Sequence, residues 1–142
     1  MKELIISLLL FIAAETDYNT NFPHPEILFL PQDQLESKYN ADEGTDASND
    51  LYGFYDIKND VIYLRDSWNI HDPFDKSVLL HELIHYIQDK NNAKFKCIQE
   101  MEAESWPLQE KYLLQYHGVV WDYDKLWFFF ISTCGPDGAF NY

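Results

Sequence analysis

Two histidines and a glutamate in one short segment have the types and the spacing of a metal-dependent hydrolytic centre. The segment reads His81-Glu82-Leu83-Ile84-His85. Residues four apart on an α-helix lie on one face, one turn apart, so both imidazoles can reach the same ion. Neutral imidazole is a good zinc ligand, and zinc lowers the pKa of a bound water toward neutrality. Glu82 is displaced around the helix, where it can take a proton from that water as a general base.

A third ligand has to come from a neighbouring element, and the next predicted helix carries three glutamates. These are Glu100, Glu102 and Glu104. A carboxylate is a suitable partner for two histidines at a hydrolytic zinc. Glu100 and Glu104 share one helix face and Glu102 points away from it, so the residues alone leave Glu100 and Glu104 open.

The chain resembles the gluzincin class of HExxH zinc metallopeptidases, in which a glutamate on the next helix completes the site. More narrowly, it is similar to minimal bacterial secreted zincin-like domains with an HELxHxxQ helix followed by a Glu-x-aromatic-x-x-Gln segment. The matching stretches are HELIHYIQ at 81–88 and ESWPLQ at 104–109. The resemblance implies one Zn²⁺ per chain, held by His81, His85 and Glu104. It also implies a peptide or protein substrate, with Glu82 as the catalytic base.

One departure from the gluzincin pattern concerns the group that orients the first histidine. The aspartate found four residues past the glutamate ligand in well-known gluzincins is replaced here by Leu108. A hydrogen-bond partner is normally needed to fix the tautomer of a metal-binding imidazole. The candidates are Gln88, Asp89, Gln109 or a backbone carbonyl. The candidate donors to a developing oxyanion are Tyr112, Tyr116 and His117, although each is more typical of an ordinary packing or surface residue.

The elements that must position these residues are predicted from periodicity and turn signals. Residues 27–30 and 61–64 are short apolar strands, and the second forms a β-hairpin with residues 51–56. The strand at 61–64 immediately precedes the histidine helix, and the resemblance implies that it is the edge strand that pairs with substrate. A structural hairpin that covers the core is the alternative. Residues 32–39 predict a short amphipathic helix. Residues 40–50 predict an acidic, solvated loop without calcium-motif spacing.

Three helices are predicted after residue 71. The first begins with Asp72 as its cap and carries the histidines, and Asn91-Asn92 can end it. The second spans residues 96–116 with Pro107 inside it, and the third spans residues 123–133. The third is so strongly apolar that it is expected to be a core helix.

The N-terminus has the pattern of a signal peptide. Lys2 precedes an apolar run of 11 residues, Leu4 to Ala14, and polar residues follow. Such a run is too short to span a bilayer. We therefore predict that residues 1–14 are a signal peptide and that the protein is secreted or periplasmic, without stable membrane insertion after cleavage. A buried N-terminal helix of the mature fold is the alternative.

Composition limits the remaining possibilities. The chain has 142 residues, a net charge of −14 and a single arginine, which argues against binding to nucleic acid. Two cysteines, Cys97 and Cys134, suggest one disulfide, with two buried thiols as the alternative.

Together these features predict one zincin-like metallohydrolase domain at residues 15–142. We expect an α+β fold in which a small antiparallel sheet of about three strands packs on about three helices. The predicted function is that of a monomeric, secreted zinc metallopeptidase. The first alternative is a catalytically inactive, zinc-binding secreted interaction domain, and the second is a structural module whose motif is accidental.

Overall fold

The computed structural model describes residues 1–43 and 51–135. Within them the helices are α1 (Lys2–Glu15), α2 (Gln32–Glu43), α3 (Pro73–Lys90), α4 (Gln99–His117) and α5 (Lys125–Ile131). The strands are β1 (Glu26–Leu30), β2 (Gly53–Asp56) and β3 (Val61–Arg65). A small sheet combined with helices confirms the α+β class.

The three strands form a mixed sheet in the order β1-β3-β2. The predicted hairpin is confirmed, because β2 pairs antiparallel with β3 and places Phe54 opposite Tyr63. The expectation of a purely antiparallel sheet is wrong, because β1 pairs parallel with β3 and places Glu26 opposite Val61. α2 and β2 separate these two strands in the chain, and a long connection permits parallel pairing where a tight turn does not.

The position of β3 also corrects the expected substrate edge. β3 has a partner on each side, so the strand predicted to pair with substrate lies in the centre of the sheet. β2 is the edge strand beside α3 instead. A Cβ on Gly53 would lie 2.7 Å from the carbonyl oxygen of Tyr63. Glycine at this position therefore lets β2 approach β3 closely.

α1 packs into the core of the folded chain. Leu8 and Ile12 are fully buried and join the same apolar cluster as Leu79 and Leu83 of α3. Such an arrangement corresponds to the alternative of a buried N-terminal helix. Packing does not report whether the chain is cut after Ala14, so the signal peptide at residues 1–14 stays a prediction.

The boundaries of the long helices follow their predicted caps. The Asp72 carboxylate accepts a 2.9 Å hydrogen bond from the backbone N–H of Asp75, and Pro73 is the first residue of α3. α4 continues through Pro107 and ends at Gly118, which has a φ of +63°. α2 extends to Glu43, so residues 40–43 are helical where a loop was expected. The rest of the predicted loop, residues 44–50, lies outside the described residues.

α5 does not enter the core. Although its sequence is strongly apolar, no side chain of α5 is buried, and Leu126 and Phe130 are exposed. The expectation of a core helix is therefore wrong. A disulfide between Cys97 and Cys134, with Cα atoms 5.9 Å apart, confirms the predicted pairing and joins the start of α4 to the end of α5. Among the described residues, no helix is long and apolar enough to cross a membrane.

Candidate metal centre

Three potential metal ligands converge between α3 and α4. The Nε2 atoms of His81 and His85 lie 3.0 Å apart. Glu102 Oε2 lies 3.1 Å from His81 Nε2, and Glu102 Oε1 lies 3.0 Å from His85 Nε2. One ligand atom from each of the three residues falls within 4.8 Å of the others. The helical spacing predicted from the sequence therefore does bring both imidazoles to one point.

The carboxylate at this point belongs to Glu102, whereas the resemblance implied that it would belong to Glu104. Glu104 instead accepts hydrogen bonds from the Tyr18 hydroxyl and the Gln88 side chain. The reason is the rotation of α4 about its axis. Its buried positions next to α3 include Gln99, Ser105 and Gln109, and Glu102 falls on the same face. Because this face is polar, hydrophobic periodicity did not reveal which side of α4 packs on α3.

The imidazole of His81 is oriented by a hydrogen-bond chain that ends on the backbone. The Ser77 hydroxyl donates to the Phe74 carbonyl at 2.6 Å, so it accepts from Gln109 Nε2 at 3.0 Å. Gln109 Oε1 therefore faces His81 Nδ1 at 2.9 Å and accepts its proton. When the ring is neutral, Nε2 of His81 is therefore the nitrogen whose lone pair is directed at the cluster. Gln109, one of the candidates from the sequence, is thus the hydrogen-bond partner of His81.

His85 has an equivalent partner on its own helix. Gln88 is 1% exposed, and its Oε1 lies 2.8 Å from His85 Nδ1. Its Nε2 donates to the Met101 carbonyl at 3.2 Å and to Glu104 at 2.9 Å, and both are acceptors only. The amide orientation is therefore fixed, and Nδ1 of His85 carries the proton that Gln88 accepts. Both histidines thus present Nε2 to the same point.

The geometry of the cluster fits a zinc ion. Ligands 2.0–2.1 Å from a tetrahedral zinc are about 3.3 Å from one another. The separations of 3.0–3.1 Å found here are close to that value. Two imidazoles and one carboxylate are also a donor set that suits zinc in hydrolytic sites. In addition, two lone pairs and a carboxylate at this distance repel one another unless a proton or a cation lies between them.

The pKa values of His81, His85 and Glu102 are shifted in the directions that favour a positive charge between them. Burial lowers the pKa of His81, but the carboxylates of Glu102 and Glu82 and hydrogen bonds to Glu102 and Gln109 outweigh it and raise the pKa to about 9. The pKa of His85 is raised in the same way, against burial, mainly by Glu102. Burial raises the pKa of Glu102, but the two histidines hold it well below its usual range. The three residues could therefore hold a cation between them.

Glu82 lies beside the cluster without being one of its three members. Its side chain is buried, and the backbone of Tyr55 in β2 hydrogen-bonds to it. Burial raises the pKa of Glu82, and the nearby carboxylate of Glu102 raises it further, while His81 and His85 act in the opposite direction. A carboxylate with a raised pKa is a better proton acceptor near neutral pH. Glu82 thus lies beside the cluster, and its role as a base stays a prediction.

Two cavities meet at the cluster. One measures 690 Å³ and the other 350 Å³, and both are lined by His81, Glu82 and Glu102. The larger has apolar walls that include Phe54, Ile98, Met101, Trp127, Phe130 and Ile131. The smaller has aromatic walls that include Tyr52, Phe74, Trp106 and Trp121. The cluster thus borders two apolar cavities, and His85 lines only the larger one.

Other residues around the site were not identified from the sequence. Trp106 donates from Nε1 to Glu102 Oε2 at 2.7 Å and orients the carboxylate. The sequence signal for this contact is an aromatic residue one turn after Glu102, whereas the family pattern relates Trp106 to Glu104. Tyr112 and His117, considered as oxyanion donors, hydrogen-bond to each other at 3.1 Å. Neither they nor Tyr116 is among the residues that line the two cavities.

Comparison with known proteins gives one match. Residues 1–139 match the family described as Domain of unknown function (DUF6647), and this match includes α1. No match was found among the curated proteins or among the solved structures. Because the family model covers nearly the whole chain, the protein belongs to the DUF6647 family.

Proposed function

We propose that this protein is a zinc-dependent hydrolase that cleaves peptide bonds, with His81, His85 and Glu102 as the metal ligands. The observation that carries the proposal is the convergence of three ligand atoms within 4.8 Å. Two glutamine side chains direct both imidazoles at that point, which an accidental pair of histidines would not require. Zinc held there would act as a Lewis acid and make a water molecule nucleophilic near neutral pH.

Glu82 would supply the proton transfers of the reaction. In this proposal its carboxylate takes a proton from the attacking water and later returns it to the leaving amine. The hydrogen bond from the Tyr55 backbone holds the carboxylate in place. Low exposure of Glu82, 7%, keeps bulk water away from the transferred proton.

An extended substrate is favoured by the outer edge of β2, which has no strand partner among the described residues. The Arg65 N–H donates at 3.1 Å to the carbonyl of Tyr52, the residue just before β2. Because hydrogen-bonded pairs alternate along antiparallel strands, Phe54 and Asp56 are the β2 residues that bond to β3. The backbone groups of Gly53 and Tyr55 therefore point away from β3, and both residues line the larger cavity. The Tyr55 N–H bonds to Glu82, so the proposed peptide contacts are those of the Gly53 backbone and the Tyr55 carbonyl. Backbone groups at a strand edge bind a peptide main chain. The two apolar cavities that border the cluster would accept apolar side chains on both sides of the cleaved bond.

Export from the cytoplasm is part of the proposal. The Cys97–Cys134 disulfide supports it, because such bonds persist mainly in oxidising compartments. The N-terminal pattern of Lys2 and the apolar run to Ala14 points the same way. An intact mass measured on protein from the native host would show whether residues 1–14 are present.

The proposal is tested first by metal content. Elemental analysis of the purified, disulfide-bonded protein should give close to one zinc per chain, and Glu102→Ala should lose it. Glu100→Ala is the matched control, since Glu100 accepts a hydrogen bond from the Lys96 backbone and is not in the cluster. A parent protein without zinc after dialysis against micromolar zinc would refute the proposed metal centre.

Activity is tested next with a peptide library read by mass spectrometry. Glu82→Gln should keep its zinc and lose turnover by at least about a hundredfold, as expected for removal of a general base. If the parent binds zinc but no peptide is cleaved, the peptidase assignment fails and the metal centre stands.

A zinc-binding interaction domain is the second candidate, and the exposed face of α5 favours it. Leu126, Trp127, Phe129 and Phe130 are each more than half exposed. An apolar surface of this kind is typical of a binding site for another protein. In that case Glu82→Gln would leave partner affinity unchanged, whereas loss of turnover in the same variant supports the enzyme.

A further inference from the structure

The geometry points to Glu104 as a positioning residue that holds His85 in its metal-binding orientation through Gln88. Glu104 Oε1 accepts from Gln88 Nε2 at 2.9 Å, and Gln88 Oε1 accepts from His85 Nδ1 at 2.8 Å. Three side chains thus form one continuous chain that runs from α4 to the ligand on α3. This inference rests on the proposed metal centre and assigns Glu104 a role other than that of a ligand.

The Gln88 amide has no freedom to adopt another arrangement. Its two N–H groups go to the Met101 carbonyl and to Glu104, and its oxygen faces His85. Of these partners Glu104 is the side chain contributed by α4. Hydrogen bonds in a chain polarise one another, so an acceptor on one end of an amide makes its oxygen a stronger acceptor at the other end. Glu104 therefore strengthens the bond that fixes the orientation of the His85 ring.

Glu104 is itself anchored by the segment that follows α1. The Tyr18 hydroxyl donates to Glu104 Oε1 at 2.5 Å. Nearby, the Asn19 N–H donates to the Asn91 side chain at 3.0 Å, and Asn91 Nδ2 donates back to the Asn19 carbonyl at 2.8 Å. These contacts fasten the segment to the end of α3. The glutamate is thus held by Tyr18 as well as by Gln88, and it cannot turn away without breaking two hydrogen bonds.

The test is a double-mutant cycle on zinc affinity, measured by chelator competition on disulfide-bonded protein. Glu104→Ala should weaken zinc binding about 10- to 100-fold at an unchanged stoichiometry of one, the range typical of a group that orients a ligand. Gln88→Ala should have a similar effect. The double variant should bind zinc as weakly as Gln88→Ala alone, because Glu104 acts only through Gln88. Glu104→Gln keeps an acceptor oxygen and should recover most of the affinity.

Each alternative outcome has a distinct signature. If the two effects multiply, Glu104 acts on the fold independently of Gln88 and the inference is overturned. If Glu104→Ala abolishes zinc stoichiometry while Glu102→Ala retains it, Glu104 is a ligand and the inference is also overturned. Circular dichroism and melting temperature show whether each variant is folded.

A second readout separates this inference from the metal centre. In metal-free protein the His85 Nδ1 proton, held by Gln88, should exchange slowly with solvent in proton NMR. Glu104→Ala should speed that exchange, and Glu100→Ala should not. If the parent bound no zinc, the proposed function would fail, and the exchange experiment would still decide the role of Glu104. Equal exchange rates in the parent and in Glu104→Ala would overturn it.

Discussion

Metal-free protein should lose stability as the pH rises from 6.5 to above 9. Burial lowers the pKa of His81, but the carboxylates of Glu102 and Glu82 outweigh it and raise the pKa to about 9. In the unfolded chain the same imidazole titrates near about 6.5. With about 1.4 kcal/mol for each tenfold change in proton affinity, the folded state gains about 3 kcal/mol from the proton. Solvent screening reduces this little, because the His81 side chain is only 15% exposed.

The direction follows from the raised pKa. Below about 6.5 both states hold the proton and the stabilisation is fully present. As the pH rises through about 9 the folded state also loses the proton, and the stabilisation disappears. The pKa of His85 is raised as well, so it acts in the same direction. With zinc present the dependence reverses, because zinc competes with these protons and its affinity rises with pH over the same interval.

The measurement is urea unfolding of chelator-treated protein, followed by circular dichroism at several values of pH between 6 and 10. Glu102→Gln is the matched control, since it removes the charge that raises the histidine pKa and should flatten the curve. The quantity compared is the free energy of unfolding of the parent minus that of the control. If this difference stays constant or grows between pH 6.5 and 9, the electrostatic account of the cluster is refuted.

Three further predictions concern the scaffold. In the full-length chain Leu8→Ala should lower the free energy of unfolding by about 2–5 kcal/mol, because Leu8 is fully buried. Leu10 is 66% exposed, so Leu10→Ala should change the free energy of unfolding by less than about 0.5 kcal/mol. Equal effects of the two substitutions in urea unfolding would mean that α1 is not packed as described. Replacing both Cys97 and Cys134 by serine should cost about 4 kcal/mol, the chain-entropy value for a 37-residue separation, and a loss below about 1 kcal/mol by the same assay would contradict it. Gly53→Ala should cost about 1–3 kcal/mol and reduce peptide cleavage, because a Cβ would lie 2.7 Å from the Tyr63 carbonyl oxygen and would force β2 outward; unchanged stability and turnover would argue against this packing.

Local signals predicted local structure well. Asp72 and Pro73 correctly located the start of α3, and the aromatic runs on both sides of residues 57–60 correctly predicted the hairpin. Caps and turns act over a few residues, so their physics is contained in the neighbouring sequence. For the same reason the spacing of His81 and His85 was enough to predict that their side chains meet.

Predictions that depended on how elements face one another were less successful. Apolar character suggested a core position for α5, yet the helix lies exposed. The core into which it was expected to pack already contains α1, and helix amphipathicity does not identify which helix is left outside. The strand order could not be predicted either, because the pairing of β1 with β3 joins residues that are far apart in the chain.

The sequence by itself determined the motif, the capped helix that carries it, the candidate base Glu82 and the pairing of the two cysteines. Only the tertiary structure decided which glutamate lies with the histidines. Glu102 and Glu104 are two residues apart, which is about 200° around a helix, so the choice depends on the rotation of α4 against α3. That rotation is set by a polar interface, in which Gln109 of α4 bonds to His81 and Gln88 of α3 bonds to Met101 and Glu104. Hydrogen-bond complementarity between two helices is not visible in the sequence of either one.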